Sequence, residues 1–211
     1  DSAETVAGLS VTFADAVGPL TVLVECDTGM GRCGVQSPAD AVTLAQLIAA
    51  SPGLEFGGLM TYPAAGQVAA NAAWLAAARD ALNAAGLPPA IISNGGTPDI
   101  WRAHEVTAAT EHRPGTYIYM DRFQVSRDVG GFDDCALTVL ATVVSRPTAN
   151  RAIIDAGSKA LTSDTLGMTG FGLIEAYPGA EIVGLSEEHG TVDLTNCATK
   201  PQIGDKIRII P

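Results

Sequence analysis

The sequence predicts an α/β part followed by an all-β part, and three observations carry that prediction. Strand and helix signals alternate through residues 1–127 at intervals of about 30 residues, the length of a βαβ unit with parallel strands. Residues 128–211 carry β-rich runs punctuated at short intervals by Gly, Asp and Asn, with no long helical stripe. A turn-rich acidic stretch, residues 128–134, separates the two.

The elements follow in order. Val6, Leu9, Phe13 and Val17 fall at helical spacing, so residues 1–17 read as a helix that Gly18-Pro19 ends. Residues 20–26 form a short, β-rich apolar run of the kind buried on both faces of a parallel sheet. Ser37-Pro38 opens a second helix as cap and first-turn proline, and Pro52-Gly53 stops it. A second strand is expected over 54–62 and an Ala-rich helix over 67–85, closed by Gly86. Residues 90–93 form a third strand, Thr97-Pro98 caps a third helix through Glu105, and 106–110 reads as a fourth strand. In the second part, strands are expected over 136–145, 151–155, 171–176, 180–187 and 206–210. Four parallel strands suit either a small open sheet or half of an eight-stranded barrel, and no GxGxxG or Walker loop separates the two.

Composition excludes several functions. With 12 Lys+Arg against 23 Asp+Glu and a net charge of −11, the chain lacks the clustered basic residues of a nucleic-acid module. Apolar side chains make up 47%, too many for a disordered chain. No apolar run reaches the roughly 20 residues of a spanning helix, so no membrane partner is expected. The polar residues 1–4 do not resemble a targeting signal. Scattered cysteines (Cys26, Cys33, Cys135, Cys197) without a CxxC favour a reduced, cytoplasmic chain. His104, His112 and His189 show no metal-ligand spacing, so no metal site is expected in the chain itself.

Two loops at predicted strand ends carry most of the chemistry. Ser93-Asn-Gly-Gly-Thr-Pro-Asp99 leaves a strand and opens a helix; its glycines allow close approach of a ligand, and helix-start N–H groups attract an anion such as phosphate. An ordinary strand-to-helix turn has the same composition. Glu25-Cys-Asp-Thr-Gly-Met-Gly-Arg-Cys-Gly34 places Arg32 where it could bind a carboxylate or cofactor oxygen, the alternative being an Asp27–Arg32 pair that stiffens the loop. Tyr62 ends the second strand, where it stacks on a ring ligand or covers apolar surface. Glu111-His-Arg-Pro-Gly-Thr-Tyr117 and the residues to Asp121 suit a site or a hinge. Asp155-Ala-Gly-Ser-Lys159 and Glu187-Glu-His-Gly190 read as turns.

The series VECDTGMGRCG, GLMTYP, SNGGTPD, EHRPGTYIYMD, IDAGSKA, SEEHG and GDKIRIIP resembles, in order and along the whole chain, the D-threonine aldolase and D-serine dehydratase-like family. That family uses pyridoxal 5'-phosphate (PLP) and has an alanine-racemase-like fold. The resemblance implies the second half of an eight-stranded TIM-type α/β barrel followed by a C-terminal β domain. It implies that Gly95, Gly96 and Thr97 hold the PLP phosphate, that Arg32 and Tyr62 line the ring, with Tyr117 a neighbour, and that Lys159 and His189 lie near the active-site face. The family's Schiff-base lysine precedes any residue here, and its metal-binding His-x-Cys follows a stretch like GDKIRIIP, so the segment taken alone is expected to be inactive and its catalytic residues are not among those present. For the parent enzyme the resemblance implies a lyase, PLP, a divalent metal (Mn, Mg or Zn), a small D-β-hydroxy amino acid as substrate and a homodimer. It leans to the aldolase, with a dehydratase or a non-catalytic PLP- or phosphate-binding domain as alternatives.

Overall fold

The computed structural model describes Asp1–Pro211 and starts with helix α1 (Ala3–Phe13), capped by Ser2, whose Oγ accepts the Thr5 N–H. The stripe predicted over 1–17 is helical only to Phe13. Beyond it the Ala16 N–H turns back to the Phe13 carbonyl, and Gly18-Pro19 cannot extend a helix. Strand β1 (Leu20–Glu25), helix α2 (Pro38–Ala50), strand β2 (Leu54–Met60), helix α3 (Val68–Ala84) and strand β3 (Ile91–Asn94) follow. Ser37 caps α2 as expected, accepting the Asp40 N–H. On α3, Val68, Asn71, Leu75, Ala78 and Leu82 are buried, a three-four spacing that turns one face onto the sheet and leaves Ala and charged residues outside.

The helix expected over 97–105 is a 3₁₀ segment, Thr97–Glu105, broken at Asp99, which leaves helical dihedrals (φ −113°, ψ 25°) while its carboxylate accepts the Gly66 N–H at 3.1 Å. Its N-cap is Gly96 rather than Thr97. The fourth strand lies later than expected: β4 is Glu111–His112, not 106–110. Val106 and Ala108 reach the core from a turn that the Ala109 N–H closes on the Val106 carbonyl, and bonding to β3 starts only at Thr110, whose N–H donates to the Ile92 carbonyl (2.9 Å) while its Oγ1 accepts the Ile92 N–H (2.9 Å).

The strands run parallel in the order β1-β2-β3-β4, each beside its successor. A doubly wound sheet reverses its order at a switch point, whereas a barrel winds on in sequence; the sheet is therefore of the barrel kind. Register aligns Glu25 with Met60, Met60 with Ser93 and Ser93 with Glu111, so the four C-terminal strand ends form one row. Beneath it Val24, Ile48, Leu59, Leu75, Leu82 and Ile92 form the core.

Two units divide the chain, Asp1–Gly115 and Thr116–Pro211. In the second, a short helix α4 (Arg122–Val125) precedes strands β5 (Val139–Thr148), β6 (Arg151–Ile154), β7 (Glu181–Leu185), β8 (Gly190–Asp193) and β9 (Lys206–Ile209), paired antiparallel in the order β7-β8-β6-β5-β9. Ile207 and Ile209 are buried while Lys206 and Arg208 face outward, the alternation of a sheet with one solvated face. The strand expected over 171–176 is a single antiparallel bridge, Leu173 to Ile210, because the Tyr177 N–H closes a turn onto Ile174. Strand β8 went unforeseen: four residues beginning with glycine are too short for an alternation signal, yet Val192 is core. No helix is long and apolar enough to cross a membrane.

Candidate functional site

The residues that follow the aligned row are those the sequence singled out. After β1, the Asp27 carboxylate accepts N–H groups from Gly31 (3.0 Å) and Gly29 (2.9 Å), which hold it below the usual carboxylate range. Asp27 thereby stiffens the loop by itself, and the alternative Asp27–Arg32 pair does not form. Arg32 instead lies 3.8 Å from the Glu25 carboxylate and places its guanidinium 5.2 Å over the Tyr62 ring. Arg32 is more than half exposed, so this ion pair orients the guanidinium more than it stabilises the fold.

Thr61, fully buried before Tyr62, donates from Oγ1 to the Cys26 carbonyl (2.8 Å) and meets the Thr28 hydroxyl at 3.0 Å, tying the loops after β1 and β2 together. The Thr61 carbonyl in turn accepts from the Arg113 guanidinium at 2.5 Å. Neither Thr61 nor Arg113 was singled out as a candidate. Thr61 carries no sequence signal, while Arg113 stood inside a motif whose individual members could not be ranked.

The loop after β3 is the tightest part. Ser93 is fully buried and its Oγ has no hydrogen-bond partner. Asn94, also buried, accepts from Asn71 Nδ2 at 2.9 Å, so α3 braces the strand end. Gly95 has φ +75°, and a Cβ there would lie 2.1 Å from His112 Cε1. A Cβ on Gly96 would lie 2.8 Å from Tyr62 Cε2. The two glycines thus leave room for side chains arriving from β2 and β4. His112 Nε2 donates to the Gly96 carbonyl at 3.0 Å, the carbonyl having only lone pairs to offer. Thr97 is buried, and its Oγ1 accepts the Gly115 N–H at 3.2 Å. No side chain caps the 3₁₀ segment at Gly96.

The structure therefore gathers Arg32, Tyr62, Gly95, Gly96 and Thr97 on linked loops of the first unit. Tyr117 belongs to the second, on a 3₁₀ turn (Thr116–Ile118), about half exposed. Lys159 pairs there with Glu187 (3.2 Å) and Glu188 (2.8 Å), which raise its pKa. His189 lies in the same turn and opens onto β8.

Residues 1–123 match the family model for the alanine racemase N-terminal domain. The chain belongs to the alanine racemase N-terminal domain family. Residues 136–211 match a second model, a putative serine dehydratase domain. Within the alanine-racemase-like family the chain is 32% identical to a D-threonine aldolase of Arthrobacter sp, over 100% of this chain and 58% of that protein. It is 31% identical to a D-threo-3-hydroxyaspartate dehydratase of Delftia sp. (strain HT23), over 90% of this chain and 58% of that protein. Among solved structures, a D-threonine aldolase from Filomicrobium marinum superposes with a TM-score of 0.87 at 29% identity, covering 100% of this chain and 59% of that one. The chain thus spans less than two thirds of the length of these relatives. The resemblance seen in the motifs is borne out, and the sequential parallel sheet and the antiparallel sheet are the barrel part and β domain of an alanine-racemase-like fold.

Proposed function

We propose that this chain carries the phosphate and ring pocket of a PLP-dependent lyase for D-β-hydroxy amino acids, of the D-threonine aldolase type, which cleaves the Cα–Cβ bond to release glycine and an aldehyde. One observation carries the reading. At the C-terminal ends of parallel strands, where barrels bind ligands, Gly95 and Gly96 form a cradle from which His112 and Tyr62 exclude any Cβ, beside the buried, unpartnered hydroxyl of Ser93. The residues present fit a phosphorylated ring. Gly95, Gly96 and Thr97 offer backbone N–H groups at an uncapped 3₁₀ start, which favours an anion. Tyr62 offers a ring face, and Arg32 above it adds positive charge for an oxygen of cofactor or substrate. When bound, PLP supplies an electron sink for the charge left on Cα as the bond breaks.

The match of residues 136–211 to a putative serine dehydratase domain supports a second reading, loss of the β-hydroxyl as water. No group of three or more His, Cys, Asp or Glu side chains converges in this chain, so no step is assigned to a divalent ion. The three lysines, Lys159, Lys200 and Lys206, all belong to the second unit, so the first offers no amine to PLP from its side chains.

The intact gene product, reconstituted with PLP and a divalent cation, separates the readings. An aldolase converts D-threonine to glycine and acetaldehyde. A dehydratase releases ammonia and a 2-oxo acid from D-serine or a 3-hydroxy analogue. A PLP absorption band without turnover of any D-β-hydroxy amino acid identifies a non-catalytic binding domain, and absence of PLP binding overturns the cofactor reading.

A further inference from the structure

The Gly95–Gly96 loop has no side chains of its own, so the direction of its peptide groups must be set from outside. His112 does this at two points. Its ring occupies the volume a Cβ on Gly95 would need, which presses the imidazole onto the glycine backbone. Its Nε2 donates to the Gly96 carbonyl at 3.0 Å. In a trans peptide the C=O and the following N–H point to opposite sides of the chain, so holding the Gly96 carbonyl toward His112 turns the N–H edge of that peptide away from it. His112 is itself anchored, because Asn94 pairs with it in the β3–β4 ladder and the next residue, Arg113, donates its N–H to the Asn94 carbonyl at 3.1 Å. Asn94 is braced from the other side by Asn71.

We propose that His112 is a positioning residue for a ligand phosphate: by packing on Gly95 and donating to the Gly96 carbonyl, it fixes the face that the two-glycine loop presents to the anion. The inference rests on the phosphate-cradle reading above and deepens it, since it assigns recognition of the phosphate, as distinct from the ring, to a side chain that need not touch the ligand. A glycine pair free of this clamp would sample both signs of φ and would pay for ordering when the anion binds.

The test compares affinity for PLP with affinity for pyridoxal, which has the ring and lacks the phosphate, in the intact gene product stripped of cofactor, by fluorescence titration. For the natural sequence PLP binds more tightly than pyridoxal. In His112→Leu, which fills similar volume without a donor, PLP affinity falls about 5- to 10-fold, the range of one lost hydrogen bond, while pyridoxal affinity changes less than about two-fold. His112→Gln restores an N–H donor and recovers most of the preference. A purely structural role for His112 lowers both affinities together and leaves their ratio unchanged, and that result overturns the inference while the cradle reading stands. If the natural sequence itself shows no preference for PLP over pyridoxal, the cradle reading fails and this inference with it. Circular dichroism confirms that the Leu and Gln variants are folded.

Discussion

Gly95→Ala tests the packing of the cradle most directly. The substituted residue would keep φ near +75°, which costs an L-residue about 1–2 kcal/mol. Its Cβ would fall 2.1 Å from His112 Cε1, well inside contact distance. The imidazole must therefore move, at about 1–3 kcal/mol for an overpacked site. In moving it gives up its bond to the Gly96 carbonyl, about 1 kcal/mol. The sum is about 3–6 kcal/mol. In a His112→Ala background the overlap and the hydrogen bond are already gone, so Gly95→Ala costs only the backbone term, about 1–2 kcal/mol. The two substitutions should thus couple by about 2–4 kcal/mol, beyond the roughly 0.5 kcal/mol scatter of independent sites. Urea unfolding followed by tryptophan fluorescence measures this in the relevant unit, because both tryptophans, Trp74 and Trp101, lie within Asp1–Gly115. A Gly95→Ala cost that is the same in both backgrounds would show that His112 does not occupy the space described, and would falsify the packing account of the cradle.

Further outcomes follow from other parts of the first unit. Gly58→Ala places a Cβ 1.8 Å from the Ile91 carbonyl oxygen, a backbone atom that cannot swing aside without parting β2 from β3, so a loss of more than about 3 kcal/mol is expected in the same urea assay. Tyr62→Phe keeps the ring beside Gly96 and should hold PLP affinity within about two-fold, whereas Tyr62→Ala should weaken it about ten-fold, as loss of a stacked aromatic costs about 1 kcal/mol or more; equal effects of the two would contradict a stacking role. Cys26 is buried, and that burial, reinforced by the Glu25 charge, pushes its thiol up to about 12. Iodoacetamide at pH 8 should accordingly modify the exposed Cys33 and spare Cys26, as peptide mass spectrometry would reveal. The same shift has a consequence for stability. The unfolded thiol ionises from about pH 9 while the folded one stays protonated, so its contribution is complete below pH 9 and is lost as pH rises toward about 12. Cys26→Ala should flatten that alkaline decline, and an unchanged slope would count against the burial.

The strand–helix alternation was legible because each element carries local punctuation. Ser37-Pro38 caps α2, Gly86 ends α3, and the Ala-rich composition of 67–85 is that of a helix. Misreadings fell where a long-range partner replaced a local rule. Ile92, 18 residues away, engages Thr110 through both backbone and side chain and fixes where pairing towards β4 begins, Asp99 bonds to Gly66 and breaks the expected helix, and β8 is held by its neighbours β6 and β7 across a glycine start. Among the site residues, Arg32, Tyr62 and the Gly95–Gly96 pair announced themselves by glycine density and by position after a strand. Thr61 and His112 did not, since a threonine or a histidine at a strand end is unremarkable until the residues it touches are known.

By itself the sequence determined β1, α2, β2, α3 and β3 of the first unit, the acidic and dispersed charge, and the place of SNGGTPD at a strand end. Those properties depend on neighbours a few residues apart. Tertiary structure alone decided that the strands follow one another in a barrel-like order, and that both glycines of the cradle are required. The second point depends on Tyr62 and His112, which approach from 34 residues before Gly96 and 17 residues after Gly95. Only the parallel register that aligns Met60, Ser93 and Glu111 in one row brings those two rings to the same backbone.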